Sequence, residues 1–165
     1  MKSASNQDEQ QGNNECNPAP PRVRLVTVEQ MPVGPNSTQA LCACDAADFA
    51  RNLIGSKDRE HFLVLHLDAR RNIVSHEVAS VGTLNATMVH PREIFKGALL
   101  ANAADIICVH NHPAESTDPS TQDLRVLGTL KESGEILCVA LLDFIIVTAT
   151  SYWAASESHP GLLGQ

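Results

Sequence analysis

No run of apolar residues in this chain approaches the ~20 positions that a membrane-crossing helix needs. The N-terminal residues also lack the apolar core of a secretory signal. A membrane role is therefore not expected. Cysteine is sparse and unpatterned: Cys16, Cys42, Cys44, Cys108 and Cys138 form an odd set of five without a Cys-X-X-Cys pair. Cys108 and Cys138 lie in apolar runs and read as small buried hydrophobes. Cys42 and Cys44 have no matching second pair, which argues against a structural zinc motif. The expectation is a cytoplasmic protein with reduced thiols. Positive charge is short as well: 12 Lys and Arg stand against 19 Asp and Glu, a net charge of −7. Neutralising nucleic-acid phosphates takes clustered Lys and Arg, so this balance argues against a duplex-binding surface. Direct nucleic-acid binding is left open only through local patches, Arg70-Arg71 or Arg92 with Lys96. Internal repeats are absent too.

What is present suits one small domain: 165 residues with 43% hydrophobic content are enough for a single core. Residues 1–37 read as a disordered or loosely ordered N-terminal arm, because 1–21 hold almost nothing to bury. A short strand-like run at 23–28 is broken by Pro32 and Gly34-Pro35-Asn36-Ser37. The domain is expected over 38–165. Asp45 should cap a helix over 46–54 with Phe49, Leu53 and Ile54 inward and Gly55 as its stop. Strands at 61–67 and 73–80 flank a turn at 68–72 and read as a hairpin. Pro91 opens a helix over 92–102 with Ile94, Phe95, Ala98 and Leu99 inward. A buried strand at 105–109 precedes a helix over 119–133, with Leu124, Leu127 and Leu130 on one face and Gly134 as its stop. Strands at 136–142 and 144–148 and a short one near Tyr152-Trp153 close the chain. Interleaved helices and strands with an antiparallel hairpin predict an α/β (α+β) fold, a mixed sheet covered by helices on both faces.

The densest chemistry is His110-Asn111-His112-Pro113, at the end of the apolar run Asp105-Ile106-Ile107-Cys108-Val109. Alternate residues of a strand share a side, so His110 and His112 can present two imidazoles together. Asn111 points away from them and reads as structural. Pro113 stops the ladder. Asp118-Pro119 looks like an N-cap followed by proline at the first helical position, and the helix it starts carries Ser120 and Asp123 on one face. Two imidazoles and a carboxylate make a three-ligand set of the kind catalytic zinc uses, with the fourth position left for water. Lone histidines are weak signals, so His61, His66, His76, His90 and His159 read as surface or partly buried residues.

The spacing His-X-His-X7-Ser-X2-Asp resembles the metal motif of the JAB/MPN metallohydrolases, also called JAMM proteins. His-Asn-His-Pro resembles their RadC branch in particular. Glu60-His61-Phe62-Leu63-Val64-Leu65, Gly82-Thr83-Leu84-Asn85, Val89-His90-Pro91-Arg92-Glu93 and Leu142-Asp143-Phe144-Ile145-Ile146-Val147 are similar to RadC segments in the same order. The resemblance implies a three-layer, cytidine-deaminase-like architecture and one zinc ion held by His110, His112 and Asp123. It also implies that Glu60 serves as general base then acid, and that Ser120 donates a hydrogen bond to the developing oxyanion. Glu77 and Glu93 compete with Glu60 for the first role, and a capping serine is the plain alternative for Ser120.

The chain departs from RadC at two places in the motifs: Ala114-Glu115 stands where Ser-Gly is usual, and Asp143-Phe144 where Asp-His is usual. Glutamate resists backbone conformations that glycine permits, so a differently shaped loop is expected over the metal. The helical region that precedes the metal domain in full-length RadC proteins is not expected here, which weakens a DNA-repair assignment. The function implied is zinc-dependent hydrolysis of amide or isopeptide bonds in a protein or peptide substrate. The alternative is a non-hydrolytic JAB/MPN interaction module in a DNA-repair or mobile-element complex.

Overall fold

A computed structural model describes residues 38–82 and 89–163, and the strand-like run at 23–28 lies outside them. The elements in chain order are α1 (Ala43–Ile54), β1 (His61–Leu67), β2 (Ile73–Val81), α2 (Pro91–Leu100) and β3 (Asp105–Asn111). They continue with α3 (Thr121–Leu137), β4 (Ala140–Val147), β5 (Tyr152–Ala154), α4 (Ala155–Ser158) and a 3-10 turn at Pro160–Leu162. The strands form one five-stranded sheet in the order β2-β1-β3-β4-β5. β3 pairs antiparallel with β1 and parallel with β4, so the sheet is mixed as expected.

Alternation along the central strands sorts side chains to two faces. Phe62, Val64, Ile106, Cys108, Phe144 and Ile146 meet Ile94, Phe95 and Ala98 of α2 and Val126, Leu127 and Leu130 of α3. Leu63, Leu65, Ile107, Val109 and Ile145 meet α1 on the other side. Helices therefore cover both faces, and the result is a three-layer α+β architecture. Among the described residues no helix is long and apolar enough to cross a membrane.

The inward faces differ in detail from those read off the sequence. α1 buries Ala43, Ala46, Ala47, Ala50 and Ile54, whereas Leu53 is exposed and Phe49 packs only at the margin. Small side chains let this helix lie close to the sheet, and that closeness outweighs residue hydrophobicity in choosing its face. Leu99 and Leu124 are likewise exposed, while Ile94, Phe95, Ala98, Leu127 and Leu130 are buried. Gly134 does not stop α3: a Cβ there would meet the Val139 carbonyl oxygen at 2.5 Å and the Phe95 ring at 3.3 Å, so glycine permits the close packing. The helix ends instead at Cys138, in the left-handed conformation with φ 56°. That exposed residue is no buried hydrophobe, and β4 starts only at Ala140 and runs unbroken through Leu142-Asp143-Phe144.

Two readings near α1 change. Cys42, not Asp45, is the N-cap, and Asp45 sits at the third position, where its carboxylate accepts from the Cys42 N–H. Cys42 and Cys44 are joined as a disulfide rather than standing as reduced thiols.

Candidate metal centre

The site is built where β3 ends. β3 delivers His110 at its penultimate position, and His112 follows with its backbone still tied to the sheet through His112 N–H to Val147 O at 3.0 Å. His110 is fully buried, with its ring stacked beside Phe62 (centroids 6.1 Å apart) and edge-on to Phe144 (5.4 Å). Phe144 thus packs directly on a candidate ligand. Asp123 comes from the first turn of α3 and is 3% exposed.

Ser120 and Asp123 form a reciprocal capping box. The Ser120 oxygen accepts from Asp123 N–H at 3.1 Å, and Asp123 Oδ2 accepts from Ser120 N–H and Ser120 Oγ–H, both at 2.7 Å. The cap is therefore Ser120 and not Asp118, because the box satisfies two helix-end groups at once. Asp118 lies outside the helix, its N–H donating to Ser116 Oγ.

His110, His112 and Asp123 each offer a donor atom within 4.8 Å of the others and could hold a metal ion. The two Nε2 atoms lie 2.9 Å apart, and His110 Nε2 is 3.3 Å from Asp123 Oδ1. Three features of the donor set fit a divalent cation. His112 Nδ1 lies 2.8 Å from the Ser116 carbonyl oxygen, which can only accept, so Nδ1 carries the proton and Nε2 presents its lone pair inward. Burial lowers the pKa of His110, with Asp123 opposing and His112 adding to the shift, and this keeps the imidazole in the neutral form a ligand requires. Finally, Ser120 bonds Asp123 Oδ2, which also lies 3.7 Å from His112 Nε2, and leaves Oδ1 turned toward His110.

Glu60 stands immediately before β1. The β1–β3 register pairs Phe62 with His110, and continuing it by two residues puts Glu60 opposite His112. A cavity of about 490 Å³ runs alongside, lined by Asp58, Arg59, Glu60, Gly82, Pro113 and Ala114. The competing carboxylates are elsewhere. Glu77 lies under α2 against Gly97, 3.9 Å from His66 Nε2, and burial raises its pKa. Glu93 is on the surface, paired with Lys96 at 2.8 Å and Arg92 at 3.3 Å. The same pairs occupy the cations of one proposed basic patch.

Glu115 holds the left-handed conformation with φ 60°. The loop after Pro113 thus takes a glycine-like backbone despite the glutamate, at a cost of roughly 1–2 kcal/mol. Its N–H donates to the His112 carbonyl at 3.1 Å, closing the turn. Of the lone histidines, His66 is buried rather than superficial, with Nδ1 2.7 Å from Ser75 Oγ. A larger apolar groove of about 740 Å³ between α2 and α3, lined by Leu99, Leu100, Ile136 and Leu137 among others, contains no candidate catalytic residue.

The most consequential feature missed in the sequence is Asn111. It is 1% exposed, its Oδ1 accepts from His61 N–H at 2.7 Å, and its Nδ2 donates to the carbonyls of Arg59 at 3.0 Å and Lys57 at 3.3 Å. Contacts across some 50 residues of chain have no local sequence signal.

The family model described as RadC-like JAB domain matches residues 41–160. A UPF0758 protein of Chlorobaculum parvum is 42% identical over 117 residues, covering 71% of this chain and 52% of that protein. A UPF0758 protein of Pelodictyon phaeoclathratiforme is 40% identical over 121 residues, 73% of this chain and 54% of that protein. One from Methanococcoides burtonii is 43% identical over 99 residues, 60% of this chain and 43% of that protein. The chain spans about half the length of the curated relatives it matches.

Proposed function

Since the chain belongs to the RadC-like JAB domain family, we propose that it is a zinc-dependent hydrolase of amide or isopeptide bonds in a protein or peptide substrate. The observation that carries this reading is the convergence of His110, His112 and Asp123 at one end of β3, with Glu60 in register beside them. His110, His112 and Asp123 would hold the ion, one per chain. When bound, zinc polarises a carbonyl and lowers the pKa of a water molecule to about 7.

The remaining work falls to side chains. Glu60 accepts a proton from the attacking water and delivers it to the leaving amine nitrogen, base first and acid second. The cavity beside Glu60 gives the scissile segment a place to lie. Ser120 donates a hydrogen bond from its hydroxyl to the developing oxyanion, a contribution on the order of 3 kcal/mol at comparable sites. To do so it turns from Asp123 Oδ2 while still accepting from the Asp123 N–H.

A second reading, a non-hydrolytic interaction module, draws support from that same Ser120 hydroxyl, which is engaged in the helix cap, and from the open apolar groove. Zinc-loaded protein assayed against a library of peptides and isopeptide-linked peptides separates the two. Hydrolysis is expected, and Glu60→Gln should lower it by ~10²–10⁴-fold while zinc content stays near one per chain. Stoichiometric zinc with no turnover of any amide by the wild type would move the interaction module ahead.

A further inference from the structure

Glu60 has to be aimed, and its own segment supplies one tie, from His61 Nδ1 to the Arg59 carbonyl at 2.8 Å. Lys57, Asp58 and Arg59 are exposed and precede the first residue of β1. The two peptide groups flanking Glu60 are nevertheless fixed. The Arg59 carbonyl, in the peptide before it, accepts from Asn111 Nδ2 at 3.0 Å. In the peptide after it, the His61 N–H donates to Asn111 Oδ1 at 2.7 Å, and the Glu60 carbonyl accepts from Gly82 N–H at 2.8 Å. Peptide groups are planar, so holding both planes fixes φ and ψ of residue 60 and with them the direction of its Cα–Cβ bond. The amide orientation of Asn111 is unambiguous, because carbonyls at 57 and 59 can only accept and the amide at 61 can only donate. The bonds to Lys57, Arg59 and His61 come from one side chain that is 1% exposed and lies between two candidate metal ligands, and the Gly82 N–H supplies the remaining tie.

We propose that Asn111 is the positioning residue of the catalytic carboxylate. It clamps both sides of Glu60 from the end of β3, between His110 and His112, so the base is tied to the segment that delivers two of the three candidate ligands. The inference rests on the reading of Glu60 as the proton carrier. Asparagine suits the task because it accepts from one peptide while donating to two others. Aspartate keeps only the acceptor, and alanine keeps neither.

The test uses zinc-loaded and cobalt-loaded full chain, with Asn111→Ala, Asn111→Asp, Glu60→Gln, the double variant Asn111→Ala/Glu60→Gln, and Ser156→Ala as a control. Ser156 ties α4 to Asp143, far from Glu60 in the chain. A misplacement of about 1 Å costs about 10²-fold in rate. Asn111→Ala should therefore lose about 10²-fold in kcat with KM and metal content little changed, and Asn111→Asp should lose less. In the Glu60→Gln background the Asn111→Ala change should cost nothing more. An equal loss in both backgrounds would overturn the proposal and reduce Asn111 to a structural tie.

The second readout needs no substrate: the pH at which the visible bands of the cobalt-loaded protein change. Glu60→Gln and Asn111→Ala should move it in the same direction, and Ser156→Ala should not. If Glu60→Gln moves it and both Asn111 variants leave it in place, the positioning role is wrong and the reading of Glu60 stands. If Glu60→Gln does not move it, Glu60 is the wrong carboxylate and the positioning role fails with it. Should Asn111→Ala fail to fold, Asn111→Asp, of nearly the same size, carries the same comparison.

Discussion

Two helices of this protein begin with the same device, and only one of those beginnings is a plausible reaction centre. At the start of α1, Asp45 Oδ2 accepts from the N–H groups of Leu41 and Cys42 at 3.0 and 3.1 Å, and Cys42 Sγ accepts from Asp45 N–H at 3.3 Å. Asp123 and Ser120 repeat this pattern at the start of α3. Each aspartate also belongs to a trio of potential ligands, with Cys42 and Cys44 in one case and His110 and His112 in the other. Their settings differ. Cys42 and Cys44 are exposed neighbours bonded to each other, and every member of their trio comes from one short stretch. Asp123 is buried and meets imidazoles delivered by a separate strand, with Glu60 entering from a third segment. A capping box is local chemistry that any helix can use. It becomes a candidate site where the tertiary fold brings donors of another kind to it and excludes water from most of them.

The most drastic way to break this comparison is to neutralise the two aspartates in turn. Asp123→Asn should lose metal and hydrolysis together, because a charged ligand is gone. Asp45→Asn should keep both and cost about 1 kcal/mol of stability, the usual worth of a cap. Metal analysis after dialysis and a urea titration of each variant check this. Metal lost from Asp45→Asn would erase the distinction.

Acid supplies a sharper and intermediate test, since part of the fold's acid sensitivity should arise away from both helix starts, at His66. Burial, with His76 adding to it, lowers the pKa of His66 from 6.5 to about 4. Below pH 6.5 the unfolded chain takes up a proton at this residue that the folded chain refuses, so stability falls as pH drops from 6.5 to about 4. The loss should reach about 3 kcal/mol. Urea midpoints measured across that range should show it, and His66→Gln should reduce the slope, leaving the share that buried His110 contributes. An unchanged slope in that variant would assign the effect to other groups.

The smallest expected effect concerns the α1 cap alone. The Cys42–Cys44 disulfide spans a sequence separation of 2, so it constrains very little chain. Reduction with a dithiol should change the unfolding free energy by less than about 1 kcal/mol and leave metal content unaltered. A larger loss would mean that the two helix starts are more alike in energetic weight than their surroundings suggest.

How far the sequence reached can be read from individual residues. His110, His112 and Asp123 were legible as a possible ligand set because strand and helix periodicities bring them together, whereas the roles of Ser120 and Glu60 came only from the family resemblance. The mixed sheet followed from the hairpin and the interleaved helices. The start of α3 was misread because Asp118-Pro119 and Ser120-X-X-Asp123 are both start signals, and only the second satisfies two backbone groups reciprocally. The inward face of α1 was misread because large apolar residues were favoured over the alanines that allow close approach. Glutamate was expected to resist the backbone conformations that glycine permits, yet Glu115 adopts a left-handed one. Asn111 and the burial of His66 depend on partners distant in the chain, and no local pattern encodes those.

The candidate donors for the ion come from the end of β3 and the first turn of α3, neighbours in the chain, whereas Glu60 lies far upstream, just before β1. Ion capture and bond cleavage therefore depend on different parts of the folded chain. The segment before β1 is exposed and tethered chiefly by side-chain and loop contacts, so it belongs to the regions that open at low free-energy cost. As the protein is warmed, turnover would disappear while the ion is still held. A heat-treated sample could then be fully loaded with metal while Glu60 is out of place, and metal content alone would not report whether the whole site is intact.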